Sequence, residues 1–160
     1  MTQLSKVVTG IVLLCAGCSS MPQSKSATDV EQAKEQIRLV LNQIIDACEK
    51  KDLPRLDSYH LYGPKFTKFD TGSPGRLDAN AAREGEHKGL TAANDLQMRA
   101  LDLDIKVFGN TAVSTFILSY SFKAGEEHIQ RDTRATLVFV QDQGAWKIAH
   151  EHLSTVKNAP

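Results

Sequence analysis

The chain has 160 residues, of which 41% are hydrophobic and 24% charged, a composition that suits one globular domain around one core. Lys plus Arg number 19 and Asp plus Glu number 19, so the formal net charge is zero. No basic excess is present to hold a phosphate backbone, which argues against nucleic-acid binding. There is no run of about 20 apolar residues to form a spanning helix, no long charged tail, and 3 Cys are too few for a disulfide scaffold.

Residues 1–20 read MTQLSKVVTGIVLLCAGCSS. Lys6 precedes an apolar run from Val7 to Ala16, which has the length of a signal-peptide core and is too short to span a bilayer. Cys15-Ala16-Gly17-Cys18 follows. This resembles the lipobox of bacterial lipoproteins, with Cys15 standing where Leu is usual. The resemblance implies cleavage before Cys18 and acylation of Cys18, so that residues 1–17 are a signal peptide. A diacylglycerol thioether plus an amide-linked acyl chain exceeds the two anchors that stable membrane attachment needs. Ser19 lacks the Asp that retains such proteins at the inner membrane, which implies the periplasmic face of the outer membrane. Loss of the signal takes Cys15 with it and leaves Cys48 as the one unmodified cysteine, on the apolar stripe of a helix, where it reads as a small buried hydrophobe.

Residues 18–27 are Ser-rich and polar and read as a flexible tether. The domain spans 28–156. Thr28 and Glu31 have capping-box spacing. Ala33, Ile37, Val40, Leu41, Ile44, Ile45 and Cys48 then recur at helical steps over about five turns. Asp52 caps a short second helix with Pro54 in its first turn. Leu61 to Asp70 is extended, and 71–75 is a loop. Asp78 to Ala93 predicts a third helix, which Gly85 and Gly89 weaken.

From Leu96 the period becomes two. Leu101, Leu103, Ile105 and Val107 alternate with Asp102, Asp104 and Lys106. Gly109-Asn110 turns the chain into a strand from Thr111 to Lys123, with Phe116, Leu118, Tyr120 and Phe122 on one side. A turn at 124–127 leads to a strand from Gln130 to Gln141, and Asp142-Gln143-Gly144 to a last strand from Ala145 to Ser154. Regular alternation puts Trp146, Ile148, His150 and His152 on one face. Three helices followed by an antiparallel meander give an α+β fold, and a curved sheet crossed by a helix leaves a pocket at its open end.

The segment Thr133-Arg134-Ala135-Thr136-Leu137-Val138-Phe139, with the Gly144 turn, Trp146 and the His150-Glu151-His152 triplet, resembles the SnoaL-like branch of the nuclear transport factor 2-like superfamily. It is particularly similar to the association domain of calcium/calmodulin-dependent protein kinase II. Residues 107–113 resemble the family's hairpin, and Phe66-Thr67-Lys68-Phe69 its aromatic-Lys-aromatic segment. The resemblance covers roughly Val30 to Ser154. It implies a cone-shaped, cystatin-like fold: a strongly curved antiparallel sheet wrapped around a long N-terminal helix. The family includes isomerases, cyclases, dehydratases and members with no known reaction, many of them dimeric through the outer sheet face.

Candidate site residues follow. Arg134, in a strand suited to burial, needs a ligand carboxylate or a structural partner such as Asp132, Glu84 or a helix-one carboxylate. Its likeness to the association-domain Arg implies an acidic small molecule. His150 and His152 form either an imidazole pair able to move a proton in the pocket or a satisfied pair at the sheet end. They lack a third ligand at metal-binding spacing, so no metal or cofactor is expected. Tyr120 is a hydroxyl donor into the pocket or a packing residue, and Tyr59 and Tyr62 flank the mouth. His60, His87 and His128 carry no signal. Asp102 and Asp104 fall on the wet face, against ketosteroid-isomerase chemistry. There is no phosphate loop and no Gly-x-Ser-x-Gly elbow.

The expected function is a non-catalytic outer-membrane lipoprotein whose domain binds a small anionic ligand or an envelope protein, with ligand contacts from Arg134, His150, His152 and Tyr120. The alternative is an isomerase, cyclase or dehydratase using His150 and Tyr120 for proton transfer and Arg134 for anion binding. Val113, Ile117 and Val138 on the outer sheet face predict a homodimer.

Overall fold

Residues 26–156 are described by the structure, a computed structural model; the lipobox with Cys18 and most of the tether lie outside the described residues. Helix α1, Ala27–Glu49, begins one capping box earlier than the Thr28–Glu31 spacing predicts. Ser26 Oγ accepts the Asp29 N–H at 3.2 Å, and Asp29 accepts the Ser26 N–H at 3.0 Å. The two possible boxes overlap, and the upstream one adds half a turn of helix on Ala27, the best helix former available there. Of the expected apolar stripe, Ala33, Ile37, Leu41, Ile44 and Cys48 are buried and Val40 and Ile45 half-buried, and Ala47 is buried beside them. None of the described helices is long and apolar enough to cross a membrane.

Helix α2, Leu53–Ser58, is capped by Asp52, with Pro54 in its first turn. Strand β1, Thr67–Phe69, follows, then helix α3, Ala79–Ala92, capped by Asp78. The meander comprises β2, Asn94–Phe108, β3, Thr111–Ala124, β4, Glu127–Asp142, and β5, Ala145–Thr155. The curved, open sheet has the order β1-β5-β4-β3-β2. β2 to β5 are antiparallel as predicted, but β1 adds to β5 in parallel, with Lys68 opposite Glu151. β1 and β2 are therefore opposite edges, and α3, which joins them, must span the sheet. Trp146 is buried against α1 and donates its indole N–H to Gln36 Oε1 at 3.1 Å.

Of three register shifts in the meander, one lies at the start of β2 between Asn94 and Gln97, and the other two change the alternation that the sequence suggests. In β2 the register slips between Leu101 and Asp104, and Asp102 has φ 54°. Leu103, Ile105 and Val107 stay on the core side, but Leu101 is turned outward and is 47% exposed. Asp102 and Asp104 are exposed, as expected. In β5 the register slips opposite Val138 and Phe139: Val138 pairs with His150 and Phe139 with Ile148, so Ala149 is the extra residue. Bulges of this kind bend a strand and increase its twist. Upstream of Ala149 the core face carries Trp146 and Ile148; downstream it carries Glu151.

Helix α3 contains two exposed glycines, Gly85 and Gly89, and a Cβ at either position meets nothing within 4 Å. Neither needs a positive φ. Gly85→Ala and Gly89→Ala should each stabilise the domain by about 0.5–1 kcal/mol through helix propensity, measured as a higher urea midpoint at unchanged slope.

Candidate functional site

The concave face of the sheet, α1 and α3 enclose two adjoining cavities. The inner one, about 160 Å3, is walled by aliphatic and aromatic residues, among them Leu41 and Ile44 of α1 and Phe116 and Leu137 of the sheet. The outer one, about 300 Å3, is lined by Gly85 and Gly89 of α3 and by Tyr120, Phe122 and Thr133 of the sheet. Lys68, Glu86, Leu90, Met98, Leu118 and Leu153 line both, so the two adjoin along shared residues and together make up the chamber, with the smaller cavity at its inner end.

Four ionisable side chains, the buried His60, Lys68 and Glu151 and the half-buried Glu86, form the chamber's polar floor. Lys68 on β1 is 3% exposed, and its ammonium bonds to Glu86 Oε1 of α3 and lies 2.7 Å from Glu151 Oε2 of β5. His60, in the segment after α2, places Nε2 2.8 Å from Glu151 Oε1 and Nδ1 3.0 Å from the Leu56 carbonyl. Tyr62 stacks on the His60 ring at 4.7 Å and donates its hydroxyl to Glu86 Oε2 at 2.8 Å. The backbone makes this cluster possible: β1 places Lys68 at the level of Glu151 by direct pairing.

Both ring nitrogens of His60 face acceptors. A carbonyl oxygen accepts only, and so does an ionised carboxylate. With Glu151 ionised, each nitrogen carries hydrogen, and the arrangement is that of an imidazolium. Burial opposes that charge, but the hydrogen bond to Glu151 and its charge outweigh burial and raise the His60 pKa above its ordinary value. Burial likewise opposes ionised Glu151, yet the Lys68 charge and the His60 bond hold its carboxyl far below the usual range. Lys68 remains charged because the two carboxylates more than offset its burial. Glu86 is raised, first by burial and then by the neighbouring Glu151 charge. With both carboxylates ionised, two positive and two negative groups cancel. Cys48 also lines the inner chamber, and burial pushes its thiol up to about 12, so it is an unreactive thiol at neutral pH.

His60, Glu86 and Glu151 converge closely enough to hold a metal ion. The Lys68 ammonium already sits between the two carboxylates. A metal would have to displace it and strand a buried positive charge beside the ion, so the donor set suits an internal cation instead.

Of the residues singled out from sequence, only Tyr120 lines the chamber, where it stacks with Phe122. His150 and His152 lie on the opposite face, because the extra residue Ala149 reverses the alternation. His150 Nδ1 is 2.8 Å from Thr67 Oγ1, and both rings pack against the half-exposed Phe69. Arg134 is exposed on that outer face, paired across strands with Ile117 and Ser154, and its guanidinium reaches the Thr155 carbonyl at 3.4 Å. The expected Arg134–His150 pocket is thus an outer surface. Lys68 was visible only as part of the Phe-Thr-Lys-Phe segment. His60, Glu86 and Glu151 gave no signal, since their meeting depends on a parallel edge strand and the extra residue Ala149 hides the face of Glu151 from parity counting.

The pH dependence of stability should reveal the His60 charge. A raised folded pKa contributes stability in full below the ordinary value of 6.5 and loses it as pH climbs through the folded value. A lowered Glu151 contributes in full above 4.5 and loses it on acidification. The two contributions coexist between pH 4.5 and 6.5. Urea denaturation should show stability declining above pH 6.5, with the decline reduced in His60→Gln. Identical profiles for the two proteins would overturn the imidazolium assignment.

A family model for the SnoaL-like domain matches residues 37–158. No curated protein matches the chain. Among solved structures, a candidate dehydratase of the nuclear transport factor 2-like family from Streptomyces avermitilis aligns with TM-score 0.71 at 20% identity, covering 80% of this chain and 99% of that one. A candidate scytalone dehydratase from Novosphingobium aromaticivorans gives TM-score 0.70 at 12% identity over 81% and 89% of the two chains. The association domain of the calcium/calmodulin-dependent kinase II of C. elegans gives 0.63 at 19% identity over 79% and 98%. At these identities the structural likeness carries the fold alone, but the family model spans most of the domain: the chain belongs to the SnoaL-like domain family.

Proposed function

We propose that this protein is a lipoprotein, held at the periplasmic face of the outer membrane by acylated Cys18, whose SnoaL-like chamber binds a small molecule. The observation that carries the binding reading is the chamber itself, an apolar cleft with a few convergent polar groups, which is the usual form of a small-molecule site. The anchor reading rests on the Cys15-Ala16-Gly17-Cys18 sequence. The tether of residues 18–27 would hold the domain close to the membrane.

The outer sheet face supports a homodimer. Val113 pairs directly with Val138 there, and Ile117 lies on the same face, all three half-buried in the single chain. Joining two such faces would remove roughly several hundred Å2 of apolar surface from water, the scale of patches that mark interfaces. His150, His152 and Arg134 would then be interface residues.

A catalytic reading is favoured by one observation. Glu86 is a half-buried carboxylate with a raised pKa at the junction of the two cavities, the position and tuning of an acid–base group. It takes the role that His150 was expected to fill. The dehydratase-like neighbours support this reading by fold analogy.

Cys18→Ala should abolish labelling by a fatty-acid analogue and release the protein from membranes; equal labelling of the variant would refute the anchor. Native mass spectrometry of the full chain purified from its own cells should show a dimer carrying a small-molecule adduct. A ligand-free monomer would count against both the dimer and the binding reading.

A further inference from the structure

The chamber floor sets what kind of molecule fits above it. On the donor side, the hydrogen-bond inventory of the four-residue cluster is nearly closed. Glu151 receives His60 on one oxygen and Lys68 on the other. Glu86 receives Lys68 on one oxygen and Tyr62 on the other. His60 spends both N–H groups, on Glu151 and on the Leu56 carbonyl. An ammonium has three donors. Lys68 directs two of them to carboxylates, and its third has no acceptor among the described residues. The Lys68 side chain is 4% exposed and borders both cavities, so the partner open to that third N–H is whatever occupies them.

The charge inventory is closed as well. With Glu86 ionised, imidazolium and ammonium balance two carboxylates. An anion entering the chamber would add an uncompensated negative charge beside two carboxylates in a site walled by Leu, Ile, Phe and Met. A cation would meet the same objection from His60 and Lys68. A neutral acceptor faces neither penalty and satisfies the one open donor, which is the strong kind of hydrogen bond, made to a charged group.

We propose that the chamber selects an uncharged, mainly apolar molecule bearing one carbonyl or hydroxyl oxygen, which accepts the free N–H of Lys68 while its hydrocarbon body fills the inner cavity. This deepens the small-molecule reading above and rests on it. It also replaces the anionic ligand expected from Arg134, whose guanidinium lies on the other face of the sheet.

Three probes of nearly the same shape separate the contributions: 2-acetylnaphthalene, 2-ethylnaphthalene and 2-naphthoate. Calorimetric titration of the full chain at neutral pH should give the ketone about tenfold or more tighter binding than the hydrocarbon, the span expected of one hydrogen bond to a charged donor. The carboxylate should bind more weakly than the ketone by a similar factor or more. The C=O stretch of the bound ketone should lie below its position in hydrocarbon solvent. In the charge-balanced double variant Lys68→Met/Glu86→Leu, the ketone should lose its advantage over the hydrocarbon.

The outcomes separate the two claims. Naphthoate binding as tightly as the ketone, equal binding of ketone and hydrocarbon, or an unshifted C=O stretch would each overturn the neutral-acceptor proposal while leaving the chamber a ligand site. If none of the three probes binds, the chamber reading falls and the proposal falls with it. The comparison on the unaltered protein is decisive even if the double variant does not fold.

Discussion

The ammonium of Lys68, shared between the carboxylates of Glu86 and Glu151, is the interaction on which the site depends. It joins a three-residue edge strand, the last strand of the sheet and the helix that spans between the sheet's edges. β1 is too short to hold its place by backbone pairing alone. Burying Lys68 without Glu86 and Glu151 would be prohibitive, and burying the carboxylates without Lys68 equally so. The three elements are therefore committed to one another, and His60 and Tyr62 complete the arrangement by satisfying the oxygens that Lys68 leaves open.

The same sheet serves two purposes because its faces differ in kind. The concave face presents hydrocarbon around a balanced set of charges and encloses space. The convex face presents half-buried Val and Ile together with Arg134 and two His. Such a division lets one face change its partners while the other keeps its chemistry, since consecutive residues of a strand point opposite ways.

Much of the fold was legible in the sequence. The stripe from Ala33 to Cys48, the Asp52 and Asp78 caps and the glycine-bearing turns at 109 and 144 are local signals, each set by a few neighbouring residues. The α+β cone followed from these and from the resemblance. The site was mostly hidden. Its residues come from positions 60, 68, 86 and 151, which no period connects. Lys68 and Glu151 meet through a parallel pairing that leaves no local trace, and parity counting along β5 gives the wrong face for His150 because one extra residue interrupts it. Arg134 was misplaced differently. Thr133 and Ala135, its neighbours in sequence, are the buried ones, so the apolar run around Arg134 belongs to the other face.

The bulge at Ala149 has a geometric consequence of its own. If Ala149 were absent, Ile148 and His150 would be adjacent, and ordinary alternation would still send Ile148, Glu151 and Leu153 to the concave side. The identity of the floor therefore does not require the bulge. What the extra residue contributes is bending at the middle of β5, close to where the strand passes beneath the chamber. Shape and chemistry are then separable in this protein. A single-residue deletion could flatten the strand and alter the width of the cavity without replacing any atom that lines it, so binding capacity could drift in size over evolution while the charge balance beneath it stays fixed.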